Sequence, residues 1–164
     1  MSDDVGILIG LEALRALAPG GFAIALHVRF QTPTYLFQTY PREWIEDYSR
    51  EGMVMRDPTV GWAFANTGRI AWADIEGAAD SDVLVRAAEH GLRHGVVVAV
   101  ARGGSRSMAS FVRSDRPFSD AEGDAIEAAM IDLHDATASA RPLAAATREA
   151  LRRISVAFTH PYGA

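Results

Sequence analysis

Two residue types are missing from this 164-residue chain: it has no cysteine and no lysine. Without cysteine there is no disulfide scaffold, no thiolate zinc site and no cysteine nucleophile. No apolar run is long enough to cross a bilayer. The opening Met-Ser-Asp-Asp-Val-Gly is acidic and lacks the basic start of a secretion signal, so a cytoplasmic location is expected. What remains is ordinary in bulk. The mass is 17.7 kDa, 49% of residues are hydrophobic and 23% charged, which fits one globular domain rather than a disordered chain.

Charge is distributed unevenly. Residues 1–140 hold twelve arginines against twenty acids, and residues 141–164 hold Arg141, Arg148, Arg152 and Arg153 against Glu149. An acidic body is a poor nucleic-acid surface, so any DNA contact would fall to a short basic tail.

Periodicity and punctuation give the elements. Ile7, Leu8, Leu11, Leu14 and Leu17 recur at helical spacing over 4–18, and Pro19-Gly20-Gly21 stops that helix. Segments 22–30 and 34–40 read as a hairpin around a Gln31-Thr32-Pro33 turn. Pro41 opens a helix over 41–52. Asp57 before Pro58 caps a short helix to about residue 66, and Ile70-Ala71-Trp72 reads as a short strand. A helix over 81–90 closes at Gly91. Segments 95–103 and 106–114 form a second hairpin around Gly103-Gly104. Ser119 and Glu122 make a capping box for a long helix to about Ala140. After Pro142 an amphipathic helix is expected over 143–157. The economical assembly is an α/β/α sandwich, a five-stranded antiparallel sheet flanked by helices.

Chemistry concentrates in a few side chains. Trp44 and Tyr48 stand four apart on one helix face, with Tyr40 on nearly the same line. Buried Trp and Tyr need partners for their N–H and O–H groups. Asp57 and Trp72 follow. Gly95 is expected where backbone approaches backbone. His90 and His94 are spaced like a metal pair, but Gly91 lies between them and the sequence offers no obvious third ligand, so no metal is expected. No catalytic constellation stands out, so no enzyme is expected.

Together Tyr40, Trp44, Tyr48, Asp57 and Trp72 give Y-x3-W-x3-Y-x8-D-P-x13-W. This resembles the autoinducer-binding domain of LuxR-type quorum-sensing regulators. His90–Val100 and Ser107–Ser119 continue the resemblance, which covers roughly residues 4–140. It implies an N-acyl-homoserine lactone as ligand, with no cofactor. It further implies that Trp44 donates to the lactone carbonyl and Asp57 accepts the amide N–H. Tyr48 is expected to donate to the amide carbonyl, Tyr40 to line the start of the acyl chain, and Trp72 to pack on the lactone ring. Ser110 is expected to add one hydroxyl. The acyl pocket is assigned to Leu36, Met53, Val60, Trp62, Phe64, Val98 and Ala109.

The resemblance also sets expectations for organisation. Residues 1–141 are read as the sensor domain and 142–164 as a helical tail, a remnant of the family's helix-turn-helix unit. With no recognition helix, this chain alone is not expected to read DNA. The expected partners are the autoinducer and a second subunit, either a copy of itself or a full-length LuxR-type regulator that it would inhibit. A sensor of the same architecture for another small amphipathic ligand is the remaining alternative.

Overall fold

A computed structural model describes residues 3–30, 32–138, 144–154 and 157–159. In chain order the elements are α1 (Asp3–Leu17), β1 (Gly21–Arg29), β2 (Thr32–Gln38), α2 (Arg42–Arg50), α3 (Pro58–Ala65) and β3 (Gly68–Ala71). They continue with α4 (Asp82–Glu89), β4 (His94–Arg102), β5 (Ser105–Arg113), α5 (Asp120–Ala136), α6 (Ala145–Ile154) and β6 (Ala157–Thr159). The sheet runs β3-β4-β5-β1-β2-β6, and every neighbouring pair is antiparallel. Among the described residues no helix is long and apolar enough to cross a membrane.

The five expected strands are all present, β1 pairs with β2 and β4 with β5, and the second hairpin turns where expected. Gly103 and Gly104 have φ of 61° and 74°, the left-handed pair that a two-residue hairpin turn demands between Arg102 and Ser105. Thr32 and Pro33 belong to β2 rather than to a turn. The tail differs more. The expected helix over 143–157 ends at Ile154, and Ala157-Phe158-Thr159 pairs with Leu36–Gln38 as a sixth strand. β2 would otherwise present open N–H and C=O groups, and the aromatic Phe158 and β-branched Thr159 suit that edge. α6 docks on α1, where Asp4 accepts from the Thr147 hydroxyl (2.9 Å) and the Ala144 N–H (3.2 Å). The expectations on Gln31, Ala140, Pro142 and Leu143 lie outside the described residues.

Strand alternation splits the hydrophobic residues between the two faces of the sheet. Phe22, Ile24 and Leu26 of β1, Val96, Val98 and Val100 of β4, and Phe111 of β5 pack with Leu11 and Leu14 of α1 and Ile126, Met130 and Leu133 of α5. The opposite face carries smaller groups under α2, α3 and α4. Cross-strand rows run Gln38–Ala23–Ser110–Val97 and Leu36–Ala25–Met108–Ala99.

A bulge in β1 changes which face each residue meets. The register with β5 shifts between Ala25 and Val28, and His27 sits at φ 53°. In an unbroken strand His27 would share the face of Ala23 and Ala25. The bulge turns it toward α5 instead and puts Val28 on the small-residue face. His27 Nε2–H donates to the His134 carbonyl (2.9 Å), and its Nδ1 accepts from the Ser105 hydroxyl (2.7 Å). Its ring lies 4.4 Å from that of His134. Burial holds the His27 pKa below its usual 6.5; the His134 carbonyl and Asp135 oppose that shift, and His134 adds to it.

The consequence is a pH-dependent stability. The unfolded chain takes up the His27 proton near pH 6.5 while the folded chain resists it. This stability is therefore fully present above that pH and declines as pH falls below it. Urea melts from neutral to mildly acidic pH are expected to show the decline, and His27→Gln to flatten it. An equal decline in both proteins would assign the effect to other groups.

Candidate functional site

A cavity of about 690 Å³ opens between the small-residue face of the sheet and α2, α3 and α4. That volume suits a small organic molecule. Ala23 and Ala25 leave room on the floor, and Val28, Leu36 and Val97 add apolar surface. The residues that position its roof are legible in the sequence. Asp57 caps α3, accepting from the Thr59 N–H at 2.8 Å, and Pro58 follows at the first helical position. Ser81 caps α4, accepting from the Leu84 N–H. Arg86 pairs with Glu51, and Arg56 pairs with Asp82 at 2.9 Å, so α4 is tied to the α2–α3 segment.

All six residues singled out from sequence line this one cavity: Tyr40, Trp44, Tyr48, Asp57, Trp72 and Ser110. Tyr40 and Trp44 are buried, at 7% and 4% exposure. Trp44 meets Tyr48 edge-on with ring centroids 5.8 Å apart. Among the described residues the Trp44 indole N–H has no hydrogen-bond acceptor.

Asp57 is the electrostatic centre. Its Oδ1 accepts from both the N–H and the hydroxyl of Thr59, at 2.8 and 2.7 Å, and its Oδ2 accepts from Tyr48 at 2.8 Å. A carboxylate offers about four acceptor positions, so roughly one remains on Oδ2. Burial raises the Tyr48 and Tyr40 pKa values far above the usual phenol range, and the charge on Asp57 raises both further. Both phenols therefore stay protonated and act as donors. The expected donation from Tyr48 to a ligand carbonyl meets a competitor here, because that proton already points at Asp57. Tyr40 donates to the Ser110 carbonyl at 3.3 Å.

Trp72 corrects one reading. It does not lie on a strand but opens a 3-10 turn directly after β3. From there its indole lies flat over Gly95, so that a Cβ at position 95 would overlap the Cδ2 and Cε2 atoms of the ring. The close approach at Gly95 is thus ring on backbone, not backbone on backbone. Trp72 Nε1–H donates to Ser110 Oγ at 3.3 Å. The Ser110 hydroxyl proton has no acceptor among the described residues.

Of the expected acyl-pocket residues, Leu36, Val60, Phe64 and Ala109 line the cavity, while Met53, Trp62 and Val98 are not among its lining residues. Val98 has the parity of the α1/α5 face, and Met53 is fully buried beneath the roof. Sequence reasoning missed Thr59 and the two floor alanines. Their signals were present: a threonine two residues past a capping aspartate, and the large–small alternation Phe-Ala-Ile-Ala-Leu over 22–26.

Comparison with known proteins points the same way. Residues 20–137 match the family described as autoinducer binding domain. The transcriptional activator protein AhyR of Aeromonas hydrophila is 30% identical over 107 residues, covering 60% of this chain and 41% of AhyR. The chain thus matches about two-fifths of that relative's length. Two solved structures share the fold. CepR2 of Burkholderia cenocepacia, an N-acylhomoserine lactone dependent LuxR family transcription factor, superposes with a TM-score of 0.57 at 22% identity, over 83% of this chain and 93% of that one. SdiA of Escherichia coli, in complex with octanoyl-rac-glycerol, gives 0.59 at 19% identity, over 94% and 61%.

Proposed function

For a chain that belongs to the autoinducer-binding domain family of LuxR-type regulators, we propose that the cavity binds an N-acyl-homoserine lactone and that the chain serves as a quorum-sensing receptor module. The observation that carries this reading is the indole N–H of Trp44, a residue only 4% exposed that lines the cavity, which has no acceptor among the described residues. Leaving a buried donor unmatched costs about 1–3 kcal/mol. A ligand carbonyl removes that cost.

The remaining groups match the rest of a lactone head. The open acceptor position on Asp57 takes the amide N–H, a charge-assisted bond. The amide carbonyl takes the Ser110 hydroxyl proton, or that of Tyr48 once it turns from Asp57. The Trp72 ring, braced flat on Gly95, forms the wall for the lactone ring. The acyl chain runs past Tyr40 over Ala23, Ala25 and Leu36, with about 0.8 kcal/mol for each CH₂ buried. Polar groups set which head is accepted, and the apolar floor supplies most of the affinity.

A thermal-shift series with lactones of increasing chain length tests the proposal. A ligand that binds only the folded chain must raise Tm, and the rise should grow with chain length until the cavity is filled. Trp44→Phe removes the donor while keeping an aromatic ring on the wall, and is expected to weaken the best lactone about three- to tenfold. No Tm rise with any lactone at saturating concentration would sink the proposal.

The SdiA complex favours a second reading, an acylglycerol in the same cavity. Octanoylglycerol in the same thermal-shift series separates the two, since it has an acyl tail but no amide.

A further inference from the structure

We propose that Glu43, Asp47 and His90 form a binding site for a zinc-type divalent metal ion on the outer side of Trp44. Glu43 and Asp47 stand four apart on α2 and so share one face. His90 follows the last residue of α4. One ligand atom from each of the three lies within 4.8 Å of the others. The spacing of His90 and His94, from which no metal is expected, is not the relevant one, because His94 starts β4 opposite Arg113. The other two ligands both come from α2, more than forty positions earlier, which spacing within one segment cannot reveal.

The geometry of His90 carries the inference. Its Nδ1 lies 3.0 Å from the Arg86 carbonyl, which can only accept. Nδ1 therefore holds the proton in the neutral ring, and Nε2 presents a bare lone pair. That lone pair faces Asp47 Oδ2 at 3.5 Å. The separation is too long for a good N–H···O bond, and two lone pairs facing each other repel. A proton on Nε2, which turns the contact into an ion pair, or a metal ion shared by the two groups relieves this, and the titrations below separate the two. Zinc bonds to nitrogen and oxygen of about 2.0–2.1 Å place two tetrahedral ligands about 3.4 Å apart.

The surroundings have the support that such sites use. The backbone carbonyl of Arg86 fixes the imidazole, and Arg50 holds the other oxygen of Asp47. Arg86 is nearby but engaged by Glu51. Glu43 is exposed, so a fourth position is open to water. His90 also packs against the Trp44 ring, with centroids 5.2 Å apart. A metal here would clamp α2 to α4 directly behind the cavity's unmatched donor, whatever ligand the cavity takes.

Zinc and cobalt(II) titrations of the full chain test this, read by calorimetry, by Trp fluorescence and by the visible band of cobalt in a tetrahedral nitrogen–oxygen site. One equivalent is expected to bind. His90→Ala and the exposed-site variant Glu43→Gln should each weaken zinc by about tenfold or more. His94→Ala should leave it unchanged. Absence of one-to-one uptake would overturn the proposal, as would uptake unaltered by both His90→Ala and Glu43→Gln. Far-UV circular dichroism of each variant confirms that a lost signal is not a lost fold.

Discussion

Gly95→Ala is expected to lower stability and shrink the cavity together, through one added methyl. The position has ordinary strand geometry, so the effect is steric rather than conformational. The Trp72 indole occupies the volume that a Cβ requires. It cannot slide easily, because its N–H is held by Ser110 and its backbone is set by the turn after β3. Either β4 moves out of register with β3, or the ring tilts into the cavity. Overpacking of this kind costs about 1–3 kcal/mol, or a fall of about 3–10 °C in Tm for a chain of this size. The cost should depend on the ring. In a Trp72→Leu background the same Gly95→Ala change is expected to cost far less, which is the coupling a double-mutant cycle measures. Equal costs in both backgrounds would show that the ring is not what Gly95 accommodates.

That pair marks where the sequence is legible and where it is not. Local rules with a mechanism read through: Asp57-Pro58 is the cap of α3, Ser119 and Glu122 form the capping box, and Gly103-Gly104 turns a hairpin. The aromatic set converges as well, because i and i+4 on α2 and the first turn of α3 face the same sheet surface. What did not read through depends on contacts distant in sequence. The parity of β1 is reset by a bulge at His27, whose side chain is held by His134 of α5 and by Thr137 just past its end, more than a hundred residues away. Val98 could be assigned to a face only once β4 had a register. The edge strand Ala157–Thr159 was hidden because its residues continue the apolar pattern of α6, and only the free edge of β2 converts them to strand. Met53 looks like a pocket methionine in a list of apolar residues, yet its short 3-10 turn buries it completely.

Asp57→Asn is expected to cut lactone affinity by about ten- to a hundredfold, the weight of a charged hydrogen bond of about 1.5–3 kcal/mol. The unliganded fold should hardly change, because asparagine caps a helix as well as aspartate does. The amide oxygen would keep both bonds from Thr59. The amide nitrogen then falls where Oδ2 meets Tyr48 and the ligand, and there it donates. Tyr48 can adapt by turning its own proton away. The ligand N–H cannot, so two donors meet in a site that excludes water. Asp57→Ala is a different lesion: it removes the cap, about 1 kcal/mol of folding stability, and strands the Tyr48 hydroxyl. Comparing Tm without ligand separates the two substitutions before any binding is measured. The decisive control is a lactone whose amide is replaced by an ester. It replaces the N–H by an acceptor oxygen, so Asp57→Asn should bind it at least as well as wild type does, while the amide ligand discriminates strongly in the opposite sense. If both ligands lose affinity alike, Asp57 acts by shaping the cavity rather than by accepting the amide proton.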